Sequence, residues 1–270
     1  MRIARVFPTK TKASPDDDLA FFGEPPMLFP PEVDEVHVSV AFEWDKKRAE
    51  QLAYQWECVA PVKVGGPAYG DMDGEFEVGK YMKKGYVITS RGCPNKCWFC
   101  KVWKNVDGIH ELKIQDGYAL NDDNILACSR KHIKDVFAML KRQSKPAEFI
   151  GGLEAARLEE WHINIMADMR IKQMFFAYDT PDDYEPLVRA GELLKSININ
   201  QNKARCYVLI GYAKDTFEAA EKRLRDTWKA GFMPFAMLYS AHDRNTDVQW
   251  RKFQRLWARP AAIKAMVKEN

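Results

Sequence analysis

The chain has 270 residues, 46% of them hydrophobic and 29% charged, with 41 basic and 38 acidic side chains for a net charge of +3. That is the make-up of a folded globular protein with room for one large domain or a main domain and a smaller one. It excludes a disordered chain and a collagen-like one. The mild basicity permits a polyanionic partner without demanding it. No apolar run approaches the roughly 18–20 residues that cross a bilayer. The opening stretch MRIARVFPTKTKASPDDD has no apolar segment of signal-peptide length, so a cytoplasmic protein is expected.

The N-terminal part reads as a small βαβ-type unit over residues 1–75. Its strands are RIARVF (2–7), DEVHVSVAF (34–42) and CVAPVKVGGPAYG (58–70), the last ending in a glycine turn. A helix over 43–56 joins the second strand to the third. The proline-rich stretch 15–32 reads as an irregular wrap, and 70–85 as a linker with a short hairpin. No internal repeat or low-complexity segment interrupts the chain.

From residue 86 strands and helices alternate. Strands are expected at 85–90, 116–121, 147–153, 172–179, 205–212 and 233–240. Helices are expected at 129–142, 155–169, 181–194 and 216–231. Short apolar runs separated by amphipathic helices indicate a parallel sheet covered by helices. The expected class is α/β, with a partial, open (β/α)6 barrel over residues 76–240 and a helical extension over 241–270. Chemistry is then sought in the loops after the strands, at their carboxyl ends.

The first of these loops contains RGCPNKCWFC (91–100), which holds Cys93, Cys97 and Cys100, three of the six cysteines. Clustered thiolates are soft ligands that select zinc, copper(I) or iron–sulfur centres. A closed zinc site needs four ligands. The fourth would have to come from distant Cys58, Cys128, Cys206 or a histidine. A four-iron cluster held by three cysteines leaves one iron open to an exogenous ligand.

The C-x3-C-x2-C spacing, with the aromatic Phe99 just before the third cysteine, resembles the radical S-adenosylmethionine (radical SAM) superfamily, over about residues 86–240. The wider phrase TSRGCPNKCWFC is similar to members with a cobalamin-binding-type domain in front of the barrel. The resemblance implies a [4Fe–4S] cluster on Cys93, Cys97 and Cys100, whose open iron chelates the methionine end of S-adenosylmethionine. Reductive cleavage would release a 5′-deoxyadenosyl radical that abstracts a substrate hydrogen. It further implies an electron donor of flavodoxin or ferredoxin type. No Asp-x-His-x-x-Gly loop occurs and the N-terminal unit is short, so it reads as a degenerate remnant and cobalamin is not expected.

The resemblance implies further contacts at the ends of the later strands, each with a plainer alternative. Asp122 or Asp123, after the second strand, would meet the methionine ammonium, or Asp123, Asn124 or Ser129 would cap the next helix. Gly151 and Gly152 would let backbone approach a ligand, or simply make a tight turn, with Glu154 near the cavity. Asp179 would hold the ribose diol, or with Thr180 cap the helix opened by Pro181. Ile210 and Gly211 would lie beside the adenine, and Tyr239 would flank it or pack in the core. His37 falls on a strand, while His110, His132, His162 and His242 are isolated and expected to be structural or exposed. Cys58, Cys128 and Cys206 are scattered, so no second cluster is expected; Cys206, on a strand, would be inert core, or a hydrogen-atom donor or methyl carrier.

The C-terminal stretch 242–260 mixes Arg244, Arg251, Lys252, Arg255 and Arg259 with Trp250, Phe253 and Trp257. The aromatic spacing favours a helix packed on the barrel over a nucleic-acid surface. The basic residues of this tail and the mild net basicity still lean toward a nucleotide or nucleic acid, so a radical SAM enzyme acting on such a substrate is expected. A peptide or small-metabolite substrate, a zinc-stabilised nucleic-acid-binding protein, and a regulator that binds S-adenosylmethionine without cleaving it are the alternatives.

Overall fold

The computed structural model describes residues 1–71, 75–239 and 247–268. The chain is an α/β protein with two parallel sheets and a separate hydrophobic core for each. The first sheet contains β1 (Ile3–Phe7), β2 (Ala20–Phe22), β3 (Glu35–Ser39) and β4 (Val62–Gly65), in the order β2-β1-β3-β4, all parallel. Alternation along β3 turns Val36 and Val38 inward, onto Ala49, Leu52 and Trp56 of α1 (Lys46–Trp56). Those three helix positions are spaced three and four apart, which stacks them on one face. The expected strand–helix–strand unit is therefore present. The stretch read as an irregular wrap supplies β2, a three-residue edge strand, and Trp56 Nε1 donates to Gly23 O beside it at 2.9 Å.

The second sheet begins with β5 (Tyr86–Val87). An antiparallel pair, β6 (Ser90–Gly92) and β7 (Ile109–Glu111), stands apart from it and brackets the short helix α2 (Val102–Asn105). The sheet resumes with β8 (Ala119–Leu120), β9 (Ala147–Leu153), β10 (Ile171–Tyr178), β11 (Ala204–Ile210) and β12 (Met233–Leu238). Its six strands are parallel and lie in chain order, β5-β8-β9-β10-β11-β12. The helices α3 (Arg130–Lys141), α4 (Glu160–Met166), α5 (Tyr184–Ser196) and α6 (Phe217–Lys229) bridge successive strands from β8 onward.

The four later strands match their apolar runs closely, whereas the first two are only two residues long. The helix expected at 155–169 is a single 3-10 turn, Ala155–Arg157, followed by the shorter α4. No strand lies between β4 and β5 among the described residues, so the hairpin expected at 70–85 is not found.

The C-terminal extension forms α7 (Val248–Leu256) and α8 (Pro260–Lys268). Trp250 and Phe253 pack against the larger core, Trp250 lies 4.3 Å from Phe217 ring to ring, and Trp257 is only 2% exposed. Arg251, Lys252, Arg255 and Arg259 lie on the wet face. This is the packing arrangement; Arg244 and His242 lie outside the described residues. Among the described residues no helix is long and apolar enough to cross a membrane.

Candidate functional site

The cysteine loop does not spring directly from β5, as the sequence suggests. It follows β6, so the β6–β7 pair holds it from both sides. Gly92 N donates to Asp123 Oδ2 at 2.8 Å, which ties the entry of the loop to the carboxyl end of β8. Inside the loop, Cys100 N donates to Cys97 O at 3.1 Å and Trp103 Nε1 donates to the same carbonyl at 2.9 Å. Lys101, next after the last cysteine, pairs with Glu43 of the first unit.

Trp98 carries the loop across to the far strands. Its ring lies 5.3 Å from Phe99, 5.7 Å from Tyr212 and 5.3 Å from Tyr239, centroid to centroid. Tyr212 follows β11 and Tyr239 follows β12, with Tyr239 N donating to Ile210 O at 2.8 Å. The loop therefore lies over the carboxyl ends of the second sheet.

All three loop cysteines are free thiols and half-buried. Burial raises the Cys97 thiol, and the neighbouring Cys100 and Cys93 raise it further. Cys100 is raised first by burial and also by Cys93, Asp123 and Asp179. Cys93 Sγ accepts a hydrogen bond from Asn124 Nδ2 at 3.4 Å. The same amide donates to Glu154 Oε2 at 2.7 Å, and Glu154 is ion-paired with Arg157 at 2.6 Å. Among the described residues no three His, Cys, Asp or Glu side chains converge as a group that could hold a metal ion.

The two adjacent aspartates separate. Asp122 is buried, and it accepts from Thr89 N and Thr89 Oγ1 at 2.6 Å and from Ser90 Oγ at 2.8 Å. Both of its oxygens are occupied by the protein, so its carboxylate is a latch between the ends of β5 and β8. Asp123 is half-buried; burial raises its pKa, against the lowering effects of the Gly92 N–H and Arg91. Neither caps α3, whose N-cap is Ser129, accepting from His132 N at 3.2 Å.

Gly151 answers to close packing. A Cβ there would lie 1.9 Å from Asp122 O, whereas one at Gly152 would meet only Asp123 O, at 3.3 Å. Asp179 Oδ1 accepts from Leu209 N at 3.0 Å rather than capping a helix. Thr180 and Asp183 make that cap reciprocally around Pro181. Burial pushes the Asp179 carboxyl up to about 7, and the nearby Asp183 adds to the rise. Ile210 is fully buried, and Gly211 sits at φ +70°, where a Cβ would lie 2.6 Å from Leu238 and 3.1 Å from Trp250.

Among the histidines, His110 is exposed, whereas His132 and His162 are buried with Nε2 unpartnered. His37 bridges Glu35 and the Tyr81 hydroxyl. Cys128 and Cys206 are buried far from thiolate chemistry, the first pushed up to about 12 by burial and the second well above its usual value.

Sequence reasoning overlooked Trp98, whose only signal was an aromatic inside the loop, and treated Asn124 as nothing more than a helix cap. The arrangement presents three half-buried soft ligands beside two carboxyls, Asp123 and Asp179, whose pKa values burial raises. No protein-family model matches the chain, and no curated protein matches it in sequence.

Proposed function

We propose that this protein is a radical SAM enzyme, built on a partial, open barrel formed by the six-stranded sheet. The observation that carries the reading is the loop of three free, half-buried thiols over the carboxyl ends of six parallel strands lying in chain order. The donor set fits a [4Fe–4S] cluster. Such a cluster takes its thiolates at separate corners, so its ligands need not converge as those of one ion do. Among the described residues no three His, Cys, Asp or Glu side chains converge as a closed zinc site would require.

Cys93, Cys97 and Cys100 would hold the cluster, which when bound would supply one electron to cleave S-adenosylmethionine and generate a 5′-deoxyadenosyl radical. All three must lose their protons to do so. The Asn124 amide would keep Cys93 oriented, and Trp98 would clamp the loop to Tyr212 and Tyr239.

Because the Asp122 oxygens are already engaged, the methionine ammonium falls to Asp123. Asp179 would meet the ribose hydroxyls. Gly151 and Gly152 would give the ligand a path along bare backbone. Ile210, Gly211 and Tyr239 would bound the adenine. The same resemblance implies a flavodoxin- or ferredoxin-type reductant, and the mild net basicity favours a nucleotide or nucleic acid as substrate over a peptide or small metabolite.

The test is anaerobic reconstitution of the full chain with iron and sulfide. The expected result is a brown protein with about four irons per chain, lost in the Cys97→Ala variant. Wild-type protein that takes up no iron, or a variant that keeps the full complement, overturns the reading.

A further inference from the structure

A cavity of about 520 Å³ lies between the carboxyl ends of the two parallel sheets. On one side its wall includes Phe7 at the end of β1, Ser39 at the end of β3 and Gly65 at the end of β4. On the other it includes Ile88 just beyond β5, Asn121 just beyond β8 and Arg91 of β6. Parallel α/β sheets bind their ligands in the crevice outside these strand ends. Here two sheets contribute such ends to one space, and its volume is within the roughly 300–1,000 Å³ of small-molecule sites.

Most charged groups on the wall are already satisfied. Lys63 pairs with Glu35 at 2.8 Å and Lys80 with Glu77 at 3.0 Å, Asp71 accepts from Gly66 N at 3.4 Å, and Glu75 is exposed to water. Two have no side-chain hydrogen bond or ion pair among the described residues. Asp45 stands at the N-cap of α1, but its carboxylate makes no cap hydrogen bond, and its residue is only 8% exposed. Half-buried Arg91 makes no hydrogen bond or ion pair from its guanidinium among the described residues, and only the longer-range attraction of Asp123 and Asp122 offsets its charge. Asp45 belongs to the first unit and Arg91 to the second.

Both side chains keep hydrogen-bonding capacity open to the cavity, and a ligand with complementary groups would fill it. A guanidinium favours a carboxylate or phosphate, which it can grip with two parallel hydrogen bonds. A buried carboxylate accepts from an ammonium, an amine or a ring N–H. Phe42, stacked on Trp44, and Phe76, packed against the larger core, add aromatic surface to the cavity wall.

We propose that this cavity binds a small aromatic molecule that places an anionic group on Arg91 and a hydrogen-bond-donating group on Asp45, joining the two units. A purine nucleoside 5′-monophosphate and a free aromatic amino acid both carry this chemistry. The site does not depend on a cluster in the cysteine loop, so its test stands or falls separately from that of the enzymatic reading.

The test is calorimetric titration of the full chain, without iron, with GMP, AMP, tryptophan and tyrosine, and with guanosine and adenosine as partners lacking the anion. One class is expected to bind saturably at one site per chain, with the winning arm identifying the source of the anion. Arg91→Gln and Asp45→Asn should each weaken that binding by about tenfold or more. For a nucleotide, the phosphate-free nucleoside should bind wild type no better than the nucleotide binds Arg91→Gln. Circular dichroism establishes that each variant is folded; if Asp45→Asn is not, the Arg91→Gln and nucleoside comparisons still decide. Failure of both classes to bind, or binding unchanged in folded Arg91→Gln, overturns the proposal.

Discussion

Replacing Asp179 by asparagine removes a charge from a site that does not favour one, while keeping an oxygen that can accept from Leu209 N. Burial raises the native carboxyl from 3.8 to about 7. In the unfolded chain the same group ionises near its ordinary value, so between about pH 4 and 7 folding takes up a proton. Stability from this group therefore falls as pH rises through that window, and the full penalty stands above it. The interval from 3.8 to about 7 corresponds to roughly 4 kcal/mol, an upper bound because the side chain keeps some access to water. Urea unfolding of wild type and Asp179→Asn at about pH 5 and about pH 8 isolates the contribution. The variant should gain on wild type by roughly 2–3 kcal/mol between those conditions. Parallel stability profiles would refute the reasoning, because they would mean that the native carboxyl ionises like an exposed one.

Asp122→Ala strips the acceptor from Thr89 N, Thr89 Oγ1 and Ser90 Oγ, all buried, and should cost about 3–5 kcal/mol in urea unfolding. A loss below about 1 kcal/mol would contradict the latch. Gly151→Ala drives a Cβ to 1.9 Å from Asp122 O and should lower stability by about 2 kcal/mol or more, with an unshifted melting curve as the contrary result. Alkylation of the iron-free chain at mildly alkaline pH, read by mass spectrometry, should label exposed Cys58 first. Buried Cys128 and Cys206 should stay protected until unfolding, and labelling of either as fast as Cys58 would contradict their placement.

How far the sequence could be read depended on how local the causes were. The strands β9 to β12 are largely apolar runs of six to eight residues with a buried residue at nearly every second position, which writes them plainly into the chain. The strands β2, β6 and β7 have three residues each, set among prolines or polar side chains, and offer no period to detect. They form because a neighbouring strand supplies partners.

The cysteine loop stood out because the spacing of its three thiols is itself a sequence property. The roles of its neighbours were not. Asp122 and Asp123 are consecutive and chemically alike, yet one turns to Thr89 and Ser90 and the other to Gly92. Gly211 was expected to lie beside a ligand, and its missing Cβ is what lets Leu238 and Trp250 approach. The cavity between the sheets was invisible, since its wall is assembled from strand ends far apart in the chain and Asp45 and Arg91 share no motif.

The central claim is that the three-thiol loop makes a radical from S-adenosylmethionine. Its most direct measurement is 5′-deoxyadenosine released by the anaerobically reconstituted chain with dithionite and S-adenosylmethionine, followed by mass spectrometry. The account predicts 5′-deoxyadenosine and methionine in equal amounts from wild type, and none from Cys93→Ala, Cys97→Ala or Cys100→Ala. Iron-loaded wild type that leaves S-adenosylmethionine intact, or cleavage that persists without Cys97, would contradict it.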